Sequence, residues 1–417
     1  MNTVKIIGGA MTKIGRHMDR DLKSLVEEAV SAALQEAGIE KSQLQGAWVG
    51  NASQGILQGQ ESIRGQVVLR NMGIGGIPVV NVENACASSA TAIYGARSMV
   101  ALGEADVVLA IGMEKMYFED RTKALTAYKG CMDIAVIEEM MKAYSARTDK
   151  FKSMLEKDGG KEKKKSGQRS VFMDVYAYIA LRHMEKYGLT QRQLALISSK
   201  NHFHSTMNPL AQYQMPLSVE EVLNAPEVAW PLTTPMCSPI GDGVAAVVIC
   251  SEKFAKKLGK QKPVEIAACM LASGEDHENE EKGGTLGELA AAAYRKADLG
   301  PEDIDLAEVH DATAFGEVNA TEKLGFCGPG EGGAFAEAGH STLGGKLPVN
   351  VSGGLESQGH PIGATGIRQV VELYWHLMDD GRTGKRQVKG ARVGLAQNAG
   401  GNIGPAEAAL SVTIIKR

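Results

Sequence analysis

Apolar and polar positions change their period along this chain, and the changes predict strands and helices in alternation. Short apolar runs at residues 4–7, 47–50 and 243–249 are typical of buried strands. Between the first two runs, apolar residues at helical spacing predict a helix that ends at Gly38: Leu22, Leu25, Val26, Ala29, Val30 and Ala33. Because strands that alternate with helices build parallel sheets covered on both sides, the pattern predicts an α/β fold.

The order of elements near the N-terminus is repeated in the second half of the chain. Three apolar positions recur at one constant separation: Ala37 with Ala297, Leu44 with Ile304, and Val49 with Val309. Residues 79–82, which precede Cys86, are likewise repeated at residues 348–351, and each copy is followed by small residues, a helix and another strand. The pattern therefore predicts two duplicated half-domains. Ligands of open α/β sheets bind at the carboxyl ends of the strands, so we expect the site where equivalent loops of the two halves meet.

A segment of different character interrupts the first half. Residues 118–230 are rich in Met, Tyr and charged side chains. We expect residues 1–117 and 231–252 to form the N-terminal half-domain, residues 118–230 a loop domain that covers the substrate, and residues 253–417 the C-terminal half-domain. The lysine-rich run at residues 161–165 has two interpretations: a solvated face, or a patch for the phosphates of a nucleotide-bearing substrate.

Composition and charge exclude several classes of partner. The chain has 417 residues, with 45 Lys and Arg against 49 Asp and Glu, so its net charge of −4 gives no reason to expect nucleic acid or an anionic membrane. No stretch is apolar over the roughly 20 residues that a membrane span needs, and the N-terminus lacks the pattern of a signal peptide. The six cysteines are scattered without a CxxC pair, which predicts neither a zinc site nor a disulfide framework and favours a cytoplasmic setting.

One of these cysteines, Cys86, lies between a predicted strand and a predicted helix. The unpaired N–H groups at a helix start favour the thiolate, which is the form of cysteine that attacks carbonyl carbon. The alternative is an inert, buried cysteine. The second half offers partners for a nucleophile after its own strands: His310, His360 and a glycine-rich loop at residues 398–401. Since a cysteine activated by a histidine is a recognised nucleophile, these residues are candidates for catalysis.

Three segments carry a family resemblance. The sequence GHPIGATG at residues 359–366, together with the small-residue segment NACASSA around Cys86, resembles the thiolase superfamily. The segments HDATA at His310 and QNAGG at Gln397 are similar to the sterol-carrier-protein type of thiolase and its bacterial and archaeal relatives. The resemblance covers essentially the whole chain. It implies an α/β, thiolase-like fold of two duplicated half-domains, each a mixed sheet covered by helices, with an inserted loop domain.

The resemblance also implies roles for individual residues. Cys86 matches the nucleophile that takes up the acyl group as a thioester, and His360 matches the base that activates it. His310 would act with His360 in an oxyanion hole for the substrate's thioester oxygen, through a bound water. The N–H groups of Cys86 and Gly400 would form a second oxyanion hole, facing the acyl-enzyme.

The chain departs from the family at the second catalytic cysteine. Ordinary thiolases have this residue where the chain has Asn398, and the sterol-carrier type has it where the chain has Ala312. The acid that protonates the enolate must then be another group. The candidates are His360, Glu317 and Tyr117, with Asn398 as a supporting residue.

The implied activity is an acyltransferase reaction of the thiolase type. A 3-oxoacyl-CoA would be cleaved with coenzyme A to an acetyl-CoA-type product and a shortened acyl-CoA, in a degradation like β-oxidation. The resemblance leaves open whether the acyl group of the substrate is branched, aromatic or steroid-derived. We expect coenzyme A as co-substrate, no permanently bound cofactor and no metal, a homodimer, and a small partner protein with a zinc ribbon and an OB-fold. Two alternatives remain: a retro-aldolase acting on a 3-hydroxyacyl-CoA, and a non-catalytic scaffold that binds acyl-CoA.

Overall fold

Eleven strands are present in the described part of the chain, and nine of them form one mixed sheet. In this computed structural model the described residues are 2–120, 122–135, 137–156, 170–260, 263–275, 283–404 and 406–417. The strands are β1 (Val4–Met11), β2 (Ala47–Gly50), β3 (Val79–Val82), β4 (Val107–Glu114), β5 (Glu227–Ala229), β6 (Leu232–Thr233), β7 (Gly243–Ser251), β8 (Val264–Ala272), β9 (Leu306–Glu308), β10 (Val393–Ile403) and β11 (Ala406–Lys416).

Fourteen α-helices lie in the same ranges. They are α1 (Leu22–Ala37), α2 (Gln54–Gln58), α3 (Arg64–Asn71), α4 (Ser88–Leu102), α5 (Thr122–Lys129), α6 (Ile137–Glu156), α7 (Val171–Tyr187), α8 (Gln191–Ser205), α9 (Val219–Asn224), α10 (Glu252–Lys257), α11 (Gly284–Ala297), α12 (Ala314–Lys323), α13 (Gly332–Glu337) and α14 (Thr365–Met378). None of the helices in these ranges is both long and apolar enough to cross a membrane.

The strand order is nearly symmetric about its centre. It runs β3-β2-β4-β7-β1-β8-β11-β10-β9, so the second half of the sheet repeats the first in reverse. The two halves meet where Lys5 and Ile6 of β1 pair with Glu265 and Val264 of β8. This order is what a duplicated chain would give, and the predicted α/β class with a mixed sheet is confirmed.

The parallel pairing that the alternation of strands and helices predicts is wrong for β1, β7, β8 and β11, and β1 and β8 pair antiparallel with each other. Strand β2 pairs in parallel with β3 and β4, and β9 pairs in parallel with β10. Strands β7 and β11 pair antiparallel with their neighbours. For β11 the reason is local, because it follows β10 through a tight hairpin, and a short connection joins only antiparallel strands.

Helices α4 and α14 lie at the centre of the molecule and pack against strands of both halves. Every residue of α14 from Thr365 to Leu377 is buried. Two glycines allow this close approach. A Cβ at Gly50 would lie 2.7 Å from the carbonyl of Ser88, and one at Gly112 would lie 2.5 Å from Cβ of Ser89. The start of α4, which directly follows the turn with Cys86, is therefore packed closely onto the strand ends.

Two predicted elements differ from the structure. Residues 348–351 form no strand: only Val349 pairs, in a single bridge to Ala307. Asn350 has a φ of 54°, and its side-chain oxygen accepts a hydrogen bond from the N–H of Val309 at 2.8 Å, so the backbone turns there. Residues 398–401 lie inside β10, because the hairpin with β11 extends the strand beyond its predicted end. The lysine-rich run at residues 161–165 lies outside the described residues.

Candidate active site

Cys86 lies in a strained turn between β3 and α4. Residues Ala85–Ala87 form one turn of 3-10 helix, and Ala85 has a φ of 47°, which is unusual for a residue with a side chain. The turn is held by the Glu83 carboxylate, which accepts a hydrogen bond from the N–H of Ala85 at 2.6 Å. A residue held in this region costs about 1–3 kcal/mol, and such strain clusters at functional sites. The local geometry therefore favours a functional Cys86 over an inert one.

His360 is oriented towards this thiol by a hydroxyl on its other side. Its Nε2 lies 3.2 Å from Sγ of Cys86, and its Nδ1 lies 2.8 Å from Oγ1 of Thr365. The Thr365 hydroxyl donates its own proton to the carbonyl of Pro361 at 3.1 Å. Thr365 must then accept from Nδ1–H of His360, which leaves the Nε2 lone pair facing the thiol. This is the arrangement in which a histidine removes a proton from cysteine.

His310 lies beside His360, with the ring centroids 5.2 Å apart and the rings nearly perpendicular. The side-chain amide nitrogen of Asn398 lies 3.0 Å from Nδ1 of His310 and donates to it. The hydrogen of the neutral His310 ring is then on Nε2, as a donor for an oxyanion needs. Ligand atoms of Cys86, His310 and His360 lie within 4.8 Å of one another, a spacing that would also suit a metal ion. The expectation of a site without metal stays a prediction.

Burial sets the protonation states in this cluster. It lowers the pKa of His310 to about 3, with a further contribution from the charge of Arg368. Burial, together with His310 and Arg368, lowers the pKa of His360 well below its usual value. Burial also raises the pKa of the Cys86 thiol, and nearby Cys131 and Glu114 add to the effect. The expected thiolate is therefore wrong for the closed site: burial outweighs the helix start, and a neutral thiol faces a neutral imidazole.

Two cavities meet at this cluster. The smaller, of about 240 Å³, is lined by Cys86, His360 and Gly400 and has an aromatic wall of Tyr128, Phe172 and Tyr176. The larger, of about 780 Å³, has charged side chains of both signs on its walls: Arg182, His183, Lys186 and Lys323 beside Glu275, Glu322 and Glu407. His310 lines both cavities. A substrate could therefore extend from a wide cleft with charged walls into a smaller, mainly apolar chamber that contains the Cys86 thiol.

Two further predicted residues, Gly400 and Ala312, also line the small cavity. Gly400 packs against the turn that carries Cys86, since a Cβ there would lie 2.1 Å from the carbonyl oxygen of Asn84. Its neighbour Gly401 belongs to the predicted glycine-rich loop but was given no role of its own. The N–H of Gly401 stabilises the Cys86 thiolate and works against the effect of burial on the pKa. Thr365 was also missed, although it is part of the GHPIGATG segment.

Glu317 and Tyr117 lie outside the described linings of both cavities. The Glu317 carboxylate forms a buried ion pair with Lys200 and accepts a hydrogen bond from Asn350. Tyr117 donates its backbone N–H to Asp242, and its ring lies against the guanidinium of Arg16. The tyrosines that do reach the small cavity, Tyr128 and Tyr176, come from the inserted segment and were not predicted.

Family comparisons agree with this geometry. The sequence model of the thiolase N-terminal domain matches residues 4–220, and that of the thiolase C-terminal domain-like family matches residues 284–412. This chain belongs to the thiolase family. The resemblance seen in the sequence is confirmed, and so is the assignment as an acyltransferase enzyme of the thiolase type.

Three curated relatives of this thiolase cover most of its length. It is 37% identical to the acetyl-CoA acetyltransferase of Methanothermobacter thermautotrophicus over 97% of this chain and 98% of that protein. It is 37% identical to human sterol carrier protein 2, over 96% of this chain and 70% of that protein. It is 36% identical to the benzoylsuccinyl-CoA thiolase subunit BbsB of Thauera aromatica, over 88% of this chain and 87% of that protein.

Solved structures share the fold. The Ltp2–ChsH2(DUF35) aldolase superposes with a TM-score of 0.75 at 23% identity, over 99% of this chain and 97% of that chain. Human mitochondrial 3-ketoacyl-CoA thiolase in complex with CoA superposes with a TM-score of 0.70 at 18% identity, over 100% of this chain and 98% of that chain. Thiolases use coenzyme A as a substrate.

In this thiolase the GHPIGATG segment is fixed to the first half by a buried carboxylate. Glu114, at the end of β4, accepts hydrogen bonds from the N–H groups of Gly363 and Ala52, each at 3.0 Å. Burial raises the pKa of Glu114, and these donors act against that rise. Since His360 lies three residues before Gly363, the clamp helps to hold His360 of one half against Cys86 of the other.

Proposed function

We propose that this thiolase cleaves a 3-oxoacyl-CoA with coenzyme A through an acyl-enzyme on Cys86. The observation that carries the proposal is the 3.2 Å contact between Sγ of Cys86 and Nε2 of His360, in a histidine whose tautomer is fixed by Thr365. A neutral imidazole is ready to accept the thiol proton as the sulfur attacks. Buried histidines of lowered pKa stay neutral and are available for this step.

The proposed reaction gives each of these residues a role in a sequence of steps. His360 takes the proton of Cys86 as its sulfur attacks the 3-keto carbon, and the N–H groups of Cys86 and Gly400 stabilise the oxygen of that carbon. The C2–C3 bond then breaks, which leaves the acyl group on Cys86 and an enolate on the departing acetyl-CoA-type product. His310 and His360 stabilise the enolate oxygen. Incoming CoA thiolate finally removes the acyl group from Cys86. Such oxyanion stabilisation in a closed site is the main contribution of the protein.

The two cavities suggest how the substrate is divided. The wide cleft with Arg182, Lys186 and Lys323 on its walls suits the phosphates and pantetheine of CoA. The 240 Å³ chamber suits the acyl group. Its aromatic wall and small volume favour a branched or aromatic acyl group over a steroid nucleus. The similarity to a benzoylsuccinyl-CoA thiolase subunit supports this choice, in a degradative role like β-oxidation.

The wider organisation is part of the proposal. We assign residues 1–117 and 231–252 to the N-terminal half-domain, 118–230 to the loop domain and 253–417 to the C-terminal half-domain. A homodimer is supported by β3, which is an edge strand with no fully buried residue. A small zinc-ribbon and OB-fold partner is supported by the relative BbsB, which is named as a subunit. Six free thiols suit a cytoplasmic setting.

Two alternatives make different predictions. A retro-aldolase acting on a 3-hydroxyacyl-CoA needs no nucleophilic thiol, so it would release an aldehyde or ketone without CoA and would tolerate loss of Cys86. A non-catalytic scaffold would bind acyl-CoA without turnover. The activated pair of Cys86 and His360 favours the thiolase reaction over both.

The proposal is tested with the intact protein, benzoylacetyl-CoA, acetoacetyl-CoA and CoA. Wild type is expected to cleave at least one of them only when CoA is present, and without CoA to gain the mass of an acyl group on the peptide that contains Cys86. Cys86→Ala is expected to abolish both signals. Cys327→Ala is the matched control, because this half-buried cysteine packs in the C-terminal core, away from the site. Thiolysis at the wild-type rate by Cys86→Ala protein would contradict the proposal.

A further inference from the structure

The proposed reaction needs a proton donor where the two cavities meet. The broken bond joins C3, held on the acyl side by Cys86, to C2, which stays with the CoA portion. The donor to C2 must therefore reach both spaces. Among the described residues four line both cavities: Tyr176, His310, Ala399 and Glu407. A second catalytic cysteine is absent from Ala312 and Asn398. His360, a candidate in the sequence, lines only the smaller cavity, and the proton that it takes from Cys86 is needed to restore that thiol, so the donor is sought in this set.

His310 and Ala399 do not suit the role. Ala399 carries no proton. The Nδ1 of His310 accepts from Asn398, and its Nε2–H is the donor aimed at an oxyanion. Burial keeps His310 neutral, with a pKa of about 3, so it holds no second proton to give. The tyrosine hydroxyl and the Glu407 carboxylate remain.

Tyr176 has the chemistry of an acid. It lies on α7 with its side chain half-buried, and no residue of the described ranges hydrogen-bonds its hydroxyl. Burial raises the pKa of Tyr176 well above its usual value, and the proximity of Cys86, Glu407 and Asp311 contributes. The phenol therefore stays protonated at neutral pH, close to the sulfur that holds the acyl group. A phenol has an O–H to give, whereas a carboxyl side chain has one only when it is protonated.

We propose that Tyr176 is the acid and base that replaces the missing second cysteine of this thiolase. The inference rests on the proposed function, and it is carried by the place of Tyr176 between the two cavities. As the C2–C3 bond breaks, the electron pair stays on the C2 enolate. The Tyr176 O–H bond then breaks, a C2–H bond forms, and a phenolate remains. The incoming CoA thiol returns a proton to that phenolate, and its thiolate attacks the acyl carbon on Cys86. The bond between Cys86 and the acyl carbon breaks as the new thioester forms, and the released Cys86 thiolate takes back its proton from His360, so the proton balance closes with no further reactant.

The test compares Tyr176→Phe with Tyr178→Phe, which removes a hydroxyl from the same helix. Tyr178 stacks on Tyr144 and is outside the described lining of both cavities. General acid and base groups contribute typically about 10²- to 10⁴-fold. Tyr176→Phe is therefore expected to lower kcat for benzoylacetyl-CoA or acetoacetyl-CoA about 100-fold or more, with KM changed less than about threefold. Tyr178→Phe is expected to keep the wild-type rate.

Two further measurements separate acid and base catalysis from damage to the nucleophile. Acylation of Cys86 by p-nitrophenyl acetate needs no proton for its leaving group, so Tyr176→Phe is expected to react with this ester at close to the wild-type rate. Exchange of the C2 hydrogens of acetyl-CoA in D₂O needs the acid and base group, and it is expected to fall with kcat.

Each outcome decides between the claims. Wild-type turnover by Tyr176→Phe, or an equal loss in the p-nitrophenyl acetate reaction, would overturn the role of Tyr176 and leave the proposed thiolase reaction intact. Absence of CoA-dependent cleavage and of acyl-enzyme in the wild type would instead overturn the proposed function and this inference with it.

Discussion

The side-chain amide nitrogen of Asn398 lies 3.0 Å from Nδ1 of His310. This contact shows what has replaced a cysteine at that position of the family pattern. Asn398 is buried and has no proton to transfer, but by donating to Nδ1 it keeps the hydrogen of His310 on Nε2. We therefore expect Asn398 to orient His310 as an oxyanion donor, with the acid and base role on another residue.

Asn398→Ala should remove this orientation while leaving the nucleophile in place. With no donor at Nδ1, His310 can adopt the other tautomer, in which Nε2 is a lone pair that repels the enolate oxygen. We expect kcat for thiolysis to fall about 10- to 100-fold, as when the outer-shell partner of a metal-bound histidine is removed. Acylation of Cys86 by p-nitrophenyl acetate should change little. Asn224→Ala, at the exposed end of α9, is the control. Full turnover by Asn398→Ala would mean that His310 is not oriented this way.

The hydroxyl of Thr365 should be needed to orient His360, the proposed base of the cluster. Thr365→Val leaves the Nδ1–H of His360 buried without an acceptor, which costs about 1–3 kcal/mol of stability. It also frees the ring to turn its lone pair away from Cys86, so both thiolysis and the p-nitrophenyl acetate reaction should slow about 10- to 100-fold. Thr365→Ser keeps the hydroxyl and should restore both rates. If Thr365→Ser were as slow as Thr365→Val, the methyl group and not the hydrogen bond would be responsible.

The neutral His310 makes stability depend on pH. Its pKa is about 3 in the folded protein and about 6.5 in an unfolded chain, so below pH 6.5 the unfolded state binds the extra proton. Stability is then complete above pH 6.5 and falls as the pH decreases towards 3. When the pH falls from 7.5 to 5.5, His310 alone should lower the free energy of unfolding by about 1.4 kcal/mol. Urea unfolding of the wild type and of His310→Asn at both pH values measures this effect. Between pH 7.5 and 5.5 the free energy of unfolding of the variant should fall by about 1.4 kcal/mol less than that of the wild type. Equal losses would contradict the assigned neutral state.

Gly400 should tolerate no side chain, for a reason that lies in the opposite half of the molecule. A Cβ there would lie 2.1 Å from the carbonyl oxygen of Asn84 and 2.6 Å from the nitrogen of Ala87. Gly400→Ala must push the turn that carries Cys86, so we expect kcat to fall at least tenfold and stability to fall by about 1–3 kcal/mol. Gly75→Ala is the control, because no atom lies within 4 Å of its added Cβ. A Gly400→Ala protein with wild-type kcat would show that the two halves are not in contact at this point.

Local signals explain which parts of the fold the sequence could predict. Helix α1 was predicted well because its ends are encoded nearby: the Asp21 side chain accepts from the N–H of Ser24, and Gly38 ends the helix at a φ of 68°. The pattern at residues 348–351 looks like a strand but is not one. Its backbone turns because Asn350 bonds to Val309 and Glu317, which are distant in sequence, and periodicity does not contain that information.

The residues of the candidate site likewise fall into those that the sequence could predict and those that it could not. The sequence pattern predicts Cys86, His310 and His360 as site residues because each lies between two consecutive secondary-structure elements. Tyr128 and Tyr176 come from α5 and α7 of the inserted segment, which has no counterpart in the duplicated half. Their place at the small cavity depends on how that segment packs. No spacing in the sequence could therefore single them out from the other tyrosines.

Glu317 was a candidate acid in the sequence, and its buried ion pair with Lys200 gives a sharp test of a structural role instead. Both side chains are almost fully buried. Lys200→Met leaves a buried carboxylate without its partner, which should cost about 3–5 kcal/mol in urea unfolding. Lys200→Met/Glu317→Met removes both charges and should recover most of that loss, because a buried pair contributes little net stability over apolar residues of similar size.

The exposed pair of Arg192 and Glu220 is the matched control for this cycle. Its side chains are 58% and 67% exposed, so Arg192→Ala should change stability by no more than about 1 kcal/mol. The double variant at Lys200 and Glu317 should also keep at least about a tenth of wild-type thiolysis, since no general acid has been lost. A stable double variant without turnover would return Glu317 to the list of catalytic candidates. If Lys200→Met alone lowered the stability and the double variant recovered it, Lys200 and Glu317 would have a structural role close to His310.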